Sequence, residues 1–163
     1  MQHLYGILPP VAEMPSPEHV RAWRLLIEAH ARVVERVEAS LAERDLPPLA
    51  WYDVLWALRE APGRRLRQSQ LAQAVVMSRS GLSRLVDRVE AAGLLRREPS
   101  PSDRRGTDVV LTADGSAMLR RMWAVYGEGI ARGFAAEVGD PDALSGALEP
   151  VVAALRDEPQ PAR

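Results

Sequence analysis

The chain has 163 residues, 26% of them charged, a formal net charge of −1 and no cysteine. That length suits one compact domain with its own core, and the missing thiols exclude disulfides, thiolate metal sites, a cysteine nucleophile and thiol-based oxidant sensing. The near-zero charge hides an asymmetry: from Arg59 to Arg121, 13 arginines face 7 acids, so that stretch carries +6 and the flanks −7, a distribution that suits a nucleic-acid surface or a solvated mixed face.

Pro9, Pro10 and Pro15 leave the first 15 residues without a sustained period, which predicts an arm or a short extra turn. No cationic segment precedes an apolar one there, and no apolar run approaches the roughly 20 residues of a membrane span, so a cytoplasmic protein without membrane contact is expected. Ser16-Pro17-Glu18 reads as a helix start, with a serine cap, proline at the first helical position and an acid in the first turn. Val20, Trp23, Ile27, Val34, Val37 and Leu41 then recur three and four residues apart, with His30 in the remaining slot. This is a long helix with a packing seam, stopped at Leu46-Pro47-Pro48. Leu49 to Leu58 forms a second helix, Ala61-Pro62-Gly63 a break, Leu66 a single β-bridge and Gln68 to Val75 a short helix.

Ser78 opens another helix whose Leu82, Leu85, Val86 and Val89 make one apolar stripe and whose end is marked by Gly93. Two short helices at a corner suggest a helix-turn-helix. Leu94 to Glu98 and Thr107 to Leu111 are short extended runs joined by residues 99–106, whose prolines and glycine forbid a helix; together they predict a β-hairpin. Thr112 caps a long helix carrying Leu119, Met122, Trp123, Tyr126, Ile130 and Phe134, and a bend is expected where Gly127, Gly129 and Gly133 weaken it. Asp140-Pro141 opens a last helix with a seam of Leu144, Leu148, Val151 and Leu155, which Pro150 is expected to kink or split.

With the stripe turned inward, helical geometry turns Arg79, Ser80, Ser83, Arg84, Asp87 and Arg88 outward. That face fits a major groove, because arginine bonds guanine bidentately and serine is short enough to touch a base edge or a phosphate. Arg79, Ser80, Ser83 and Arg84 are assigned to bases or nearby phosphates, Arg88 to the backbone, and the helix start at Ser78 to a phosphate. The other reading is a surface helix whose arginines pair with Asp87 and Glu90. Arg96 and Arg97 alternate along a strand, so at most one faces phosphate. For an enzyme the sequence offers only His3, His19 and His30, with no HExxH, no phosphate loop and no glycine fingerprint after a strand. No cofactor is expected.

This order of elements, with SRSGLSRLVDRVEAAGLLRR at 78–97 and SDRRGTDVVLTADG at 102–115, resembles the MarR family of transcription regulators, from about Pro17 to Leu155. The resemblance implies a mainly α fold with a small β wing: a single domain over 1–163, with 49–111 as a winged helix-turn-helix lobe and 16–45 and 113–157 as dimerisation helices. It implies a homodimer, probing double-stranded DNA with two recognition helices about 34 Å apart on pseudo-palindromic operators, and acting as a repressor. Arg105 would enter a minor groove, with Asp103 holding it or Arg104 in place. A small aromatic or anionic effector is implied between the dimerisation helices and the lobe, where Trp23, His30, Trp51, Tyr52, Trp56, Trp123 and Tyr126 are candidates. Tryptophans at helical spacing are equally suited to a core, and His30 to a hydrogen-bonded interface. The chain departs from the family at the helix-turn-helix corner, where Val75-Val76-Met77 stands in place of a glycine, and carries Gly81 inside the recognition helix. Two alternatives remain: a winged helix docking an acidic protein partner, and a DNA binder without an effector.

Overall fold

The computed structural model describes residues 14–75, 79–100 and 103–157; residues 79, 80, 103–105, 156 and 157 are described by their backbone alone. Helix α1 (Pro17–Ala42) starts as its sequence predicts, the Ser16 hydroxyl accepting from the His19 N–H. It ends without a glycine. Asp45 takes a φ of +52°, so that its N–H reaches the Ala42 carbonyl and the Leu46 N–H the Leu41 carbonyl, the Schellman pattern that satisfies a helix's last carbonyls. Only the C-terminal part of the seam, Val37 and Leu41, is buried, while Val20, Trp23 and Ile27 lie exposed. Helix α2 (Leu49–Glu60) is capped from outside itself: the Leu49 N–H donates to Glu38 of α1 at 3.0 Å. It buries Tyr52, Val54, Leu55 and Leu58.

A short 3-10 turn at Pro62–Arg64, with Gly63 at φ +64°, leads into β1 (Arg65–Arg67), a three-residue strand rather than a single bridge. Helices α3 (Gln68–Ala74) and α4 (Arg79–Ala91) follow. All four stripe residues of α4 are buried, each worth about 1.5–3 kcal/mol when fully removed from water. The stripe therefore decides which way the helix faces. Gly93 closes α4 at φ +76°, with its N–H on the Glu90 carbonyl and the Leu94 N–H on that of Val89, a conformation for which glycine carries no Cβ penalty.

Strands β2 (Leu95–Ser100) and β3 (Asp103–Leu111) pair antiparallel, and β1 joins β3 on its other side, giving the order β1-β3-β2. Both strands run further than the expected Glu98 and Thr107 limits, into the Pro99–Gly106 link. Pro99 is tolerated because β2 lies at the sheet edge, and the register shifts between Pro99 and Ser100.

Thr112 knots the hairpin base to α5 (Ala113–Ile130): its hydroxyl accepts from the Gly115 N–H and donates to the Gly93 carbonyl, and its N–H donates to the Leu94 carbonyl. A Cβ at Gly115 would lie 1.9 Å from the Leu94 oxygen, so glycine is demanded here by close approach. Farther along, a Cβ at Gly129 would lie 2.6 Å from a Val37 methyl, marking where α5 crosses α1. The glycine-weakened stretch ends in a π-helical turn at Ala131–Ala135, where a bend was expected. Of the kink or split expected at Pro150, the split does not occur: α6 (Pro141–Asp157) is one helix. The bond proline removes would end on the carbonyl of Gly146, an exposed residue, where water can replace it.

Candidate nucleic-acid interface

Arg84, Asp87 and Arg88 project from α4 into solvent and Ser83 is half-buried, the face left over once the stripe is inside. Arg84 and Arg88 have no ion pair among the described residues, so both charges are available to phosphates or base edges. The backbone of Arg79 and Ser80 forms the first turn of α4; Ser78 lies outside the described residues. Asp103, Arg104 and Arg105 begin β3, with Asp103 opposite Ser100. They are strand residues at the far end of the hairpin, where a free loop was expected.

Both arginines of β2 are ion-paired within the protein. Arg96 donates to Glu98 at 2.5 Å. Arg97 sits against α4: its guanidinium reaches Asp87 at 2.6 Å and also bonds Glu90, while its own N–H donates to Glu90 at 2.8 Å. Burial works against the Arg97 charge, yet the hydrogen bonds to Asp87 and Glu90 outweigh it and hold its pKa above the usual value. The two elements that would meet DNA are thus fastened together by one bidentate clamp. Asp87 and Glu90 do pair with an arginine, but with one from the hairpin rather than from their own helix. A second pairing stiffens the sheet: Glu98 and Asp108 face each other across β2 and β3, and Arg65 lies 3.0 Å from the first and 3.7 Å from the second, offsetting what would otherwise be opposed like charges. The Arg96 hydrogen bond, together with Arg65, holds the Glu98 carboxyl below its ordinary range.

Among the seven expected effector residues, the structure brings four rings together. Tyr52 stacks on Trp56 and Trp123 at centroid distances of 5.9 and 6.2 Å and meets Tyr126 edge-on at 4.9 Å; Trp123 meets Tyr126 at 6.0 Å. Tyr52 is buried inside this cluster, and loss of water pushes its phenol up to about 12. It is a packing residue. Tyr126 and His30 line a cavity of about 460 Å³ between α1, α2 and α5. Trp56 lines a second, of about 530 Å³, on the lobe side of α2. Trp51 packs against the core and Trp23 lines neither cavity. Sequence reasoning passed over Asp53, which lines both cavities; the available signal was a single acid inside the apolar run LAWYDVLW.

A family model described as MarR family matches residues 44–106. Among solved structures, AbsC, a MarR family transcriptional regulator from Streptomyces coelicolor, superposes with a TM-score of 0.79 at 32% identity, covering 90% of this chain and 99% of that one. Sco3205, a MarR family transcriptional regulator from the same organism solved in complex with DNA, gives 0.76 at 31% identity, covering 92% and 94%. The transcriptional regulator HosA of Escherichia coli O111:H- is 37% identical over 79 residues, which is 47% of this chain and 57% of HosA, so the match spans little more than half of that curated relative. Residue identity, topology and near-complete mutual coverage with AbsC agree: the chain belongs to the MarR family.

Proposed function

We propose that this chain is a sequence-specific DNA-binding transcription regulator, a repressor that works as a homodimer on a pseudo-palindromic operator and is released by a small-molecule effector. Residues 49–111 form the DNA-binding lobe of the single domain, and 16–45 and 113–157 the dimerisation helices. The observation that carries this reading is α4, whose apolar stripe is fully buried while Arg84 and Arg88 stand unpaired on its outer face. A helix about 10 Å across fits a major groove about 12 Å wide. Ser78, Arg79, Ser80, Ser83 and Arg84 contact bases or adjacent phosphates and Arg88 the backbone; the Asp103-Arg104-Arg105 end of the hairpin enters the neighbouring minor groove.

Dimerisation is supported by what the protomer leaves uncovered. Trp23, Leu25 and Ile27 on α1 and Val151, Val152 and Leu155 on α6 are all exposed, more apolar surface at the two ends of the chain than single surface residues explain. Among the described residues no helix is long and apolar enough to cross a membrane, and no group of acidic or histidine side chains is arranged to hold a metal. The test is selection of bound sequences from a random duplex pool. A two-fold symmetric consensus is expected, with affinity falling linearly in log salt. No enrichment, together with capture of acidic proteins by the same arginine face, would overturn the reading.

A further inference from the structure

We propose that the cavity between α1, α2 and α5 takes an amphiphilic organic cation, an aromatic ammonium or amidinium, with Asp53 as its counter-ion, and discriminates against carboxylates. The inference rests on the regulator reading in treating this cavity as the effector site, and it reverses the sign of the charge that the family resemblance suggested.

The cavity is about 460 Å³, within the roughly 300–1,000 Å³ of small-molecule sites. Its walls are aliphatic and aromatic, with Val34 and Val37 on one side and Tyr126, Ile130 and Phe134 on the other. Among the described residues Asp53 is the charged residue in this wall, and His30 the other titratable group besides Tyr126. On the far side of α2 the second cavity repeats the theme, with Asp53 and Glu60 as its charged residues and Trp56 and Leu66 among its apolar ones. Among the described residues no arginine lines either space, although every cationic side chain in the chain apart from histidine is arginine and 21 are present.

Asp53 itself has no hydrogen bond or ion pair among the described residues. The neighbouring groups do not answer it. Glu38 adds a like charge and is committed to the Leu49 N–H, and Arg59 lies over the Trp56 ring at 5.2 Å. Asp53 is exposed on α2 where it borders the cavity; the protein packed on its inner side, together with the like charge of Glu38, raises its pKa. An entering carboxylate would add repulsion and lose its hydration without a partner. An ammonium brings the missing partner as a charge-assisted hydrogen bond, and Tyr126 adds an aromatic ring to the wall beside it.

The test is isothermal titration calorimetry of the 163-residue protein at pH 7 with 2-phenylethylamine and with 3-phenylpropionate, which share a phenylethyl frame and differ in charge sign. The ammonium is expected to bind about tenfold or more tightly than the carboxylate. Asp53→Asn should bring that ratio to about one without lowering the melting temperature, and Asp53→Glu should keep the preference. Equal or tighter carboxylate binding, no saturable binding of the amine, or an unchanged preference in Asp53→Asn would overturn the proposal. A separate measurement on a selected duplex isolates the underlying reading. If the amine binds through Asp53 but leaves DNA affinity unchanged, the site stands and release by effector falls.

Discussion

The lobe built from α3, α4 and the hairpin and the frame built from α1, α5 and α6 draw on the same aliphatic residues, yet they close their apolar surface to different extents. In the lobe Leu71, Leu82, Leu85, Val86, Val89, Leu95 and Val109 are all sealed within the protomer. In the frame Trp23 remains 61% and Leu155 65% exposed. The difference separates two kinds of instruction in one sequence. The lobe's stripes specify an orientation that the chain satisfies alone, whereas the frame's seams leave apolar surface uncovered, which the proposed dimer would close.

The largest effect should come from the seam between the two regions. Gly115→Ala drives a methyl against the Leu94 carbonyl, and because backbone rather than a flexible side chain blocks it, a loss of about 3 kcal/mol or more is expected in chemical denaturation. If the variant melts like wild type, the two parts are not fused there. Next, Leu155→Arg on the frame should leave the lobe folded, as read by circular dichroism, yet shift sedimentation toward monomer and weaken operator binding about a hundredfold, since each protomer would then hold one half-site alone. Unchanged sedimentation would place the dimer contact elsewhere. Within the lobe, Arg97→Met frees Asp87 and Glu90 and should cost about 1–3 kcal/mol of stability and about tenfold in operator affinity, whereas Arg96→Met, which loses only an exposed pair with Glu98, should cost about 1 kcal/mol or less. Equal effects would mean the clamp positions nothing.

Smaller still, Arg88→Ala should weaken binding evenly across operator variants and reduce the salt slope by about one, the mark of a phosphate contact. The last effect is one of pH. Because Tyr52 titrates near 12 in the fold against an ordinary 10.0, the neutral phenol favours the folded state. That contribution is complete below pH 10 and lost as pH rises toward 12. Tyr52→Phe should flatten the fall in stability across that window in alkaline melts.

What could be read from the sequence was whatever one element settles within itself. The Ser16 and Thr112 caps, the Gly93 terminus and the α4 stripe are local, and each lies where its spacing placed it. What escaped depends on neighbours far along the chain. Arg97 looks like one more basic strand residue until β2 lies beside α4, ten residues back, and Asp53 looks like one more exposed helix acid until α1 and α5 set an apolar cavity beside it. The length of β2 was missed for a related reason: a proline is read as a break unless its strand is known to be an edge. At the site, the outward face of α4 was legible and the fastening behind it was not.

The corner at Leu94, Thr112 and Gly115 also constrains how relatives of this chain can diverge. Three hydrogen bonds and a contact that excludes even a methyl group fix the spacing between the end of α4, the root of the hairpin and the start of α5. A residue inserted at that root would rotate the groove-facing helix away from the rest of the body. Insertions or deletions between Ser100 and Asp103 would change only the length of the hairpin. In the proposed DNA complex, evolution could therefore retune how deeply the hairpin probes a minor groove without disturbing how α4 meets the major groove.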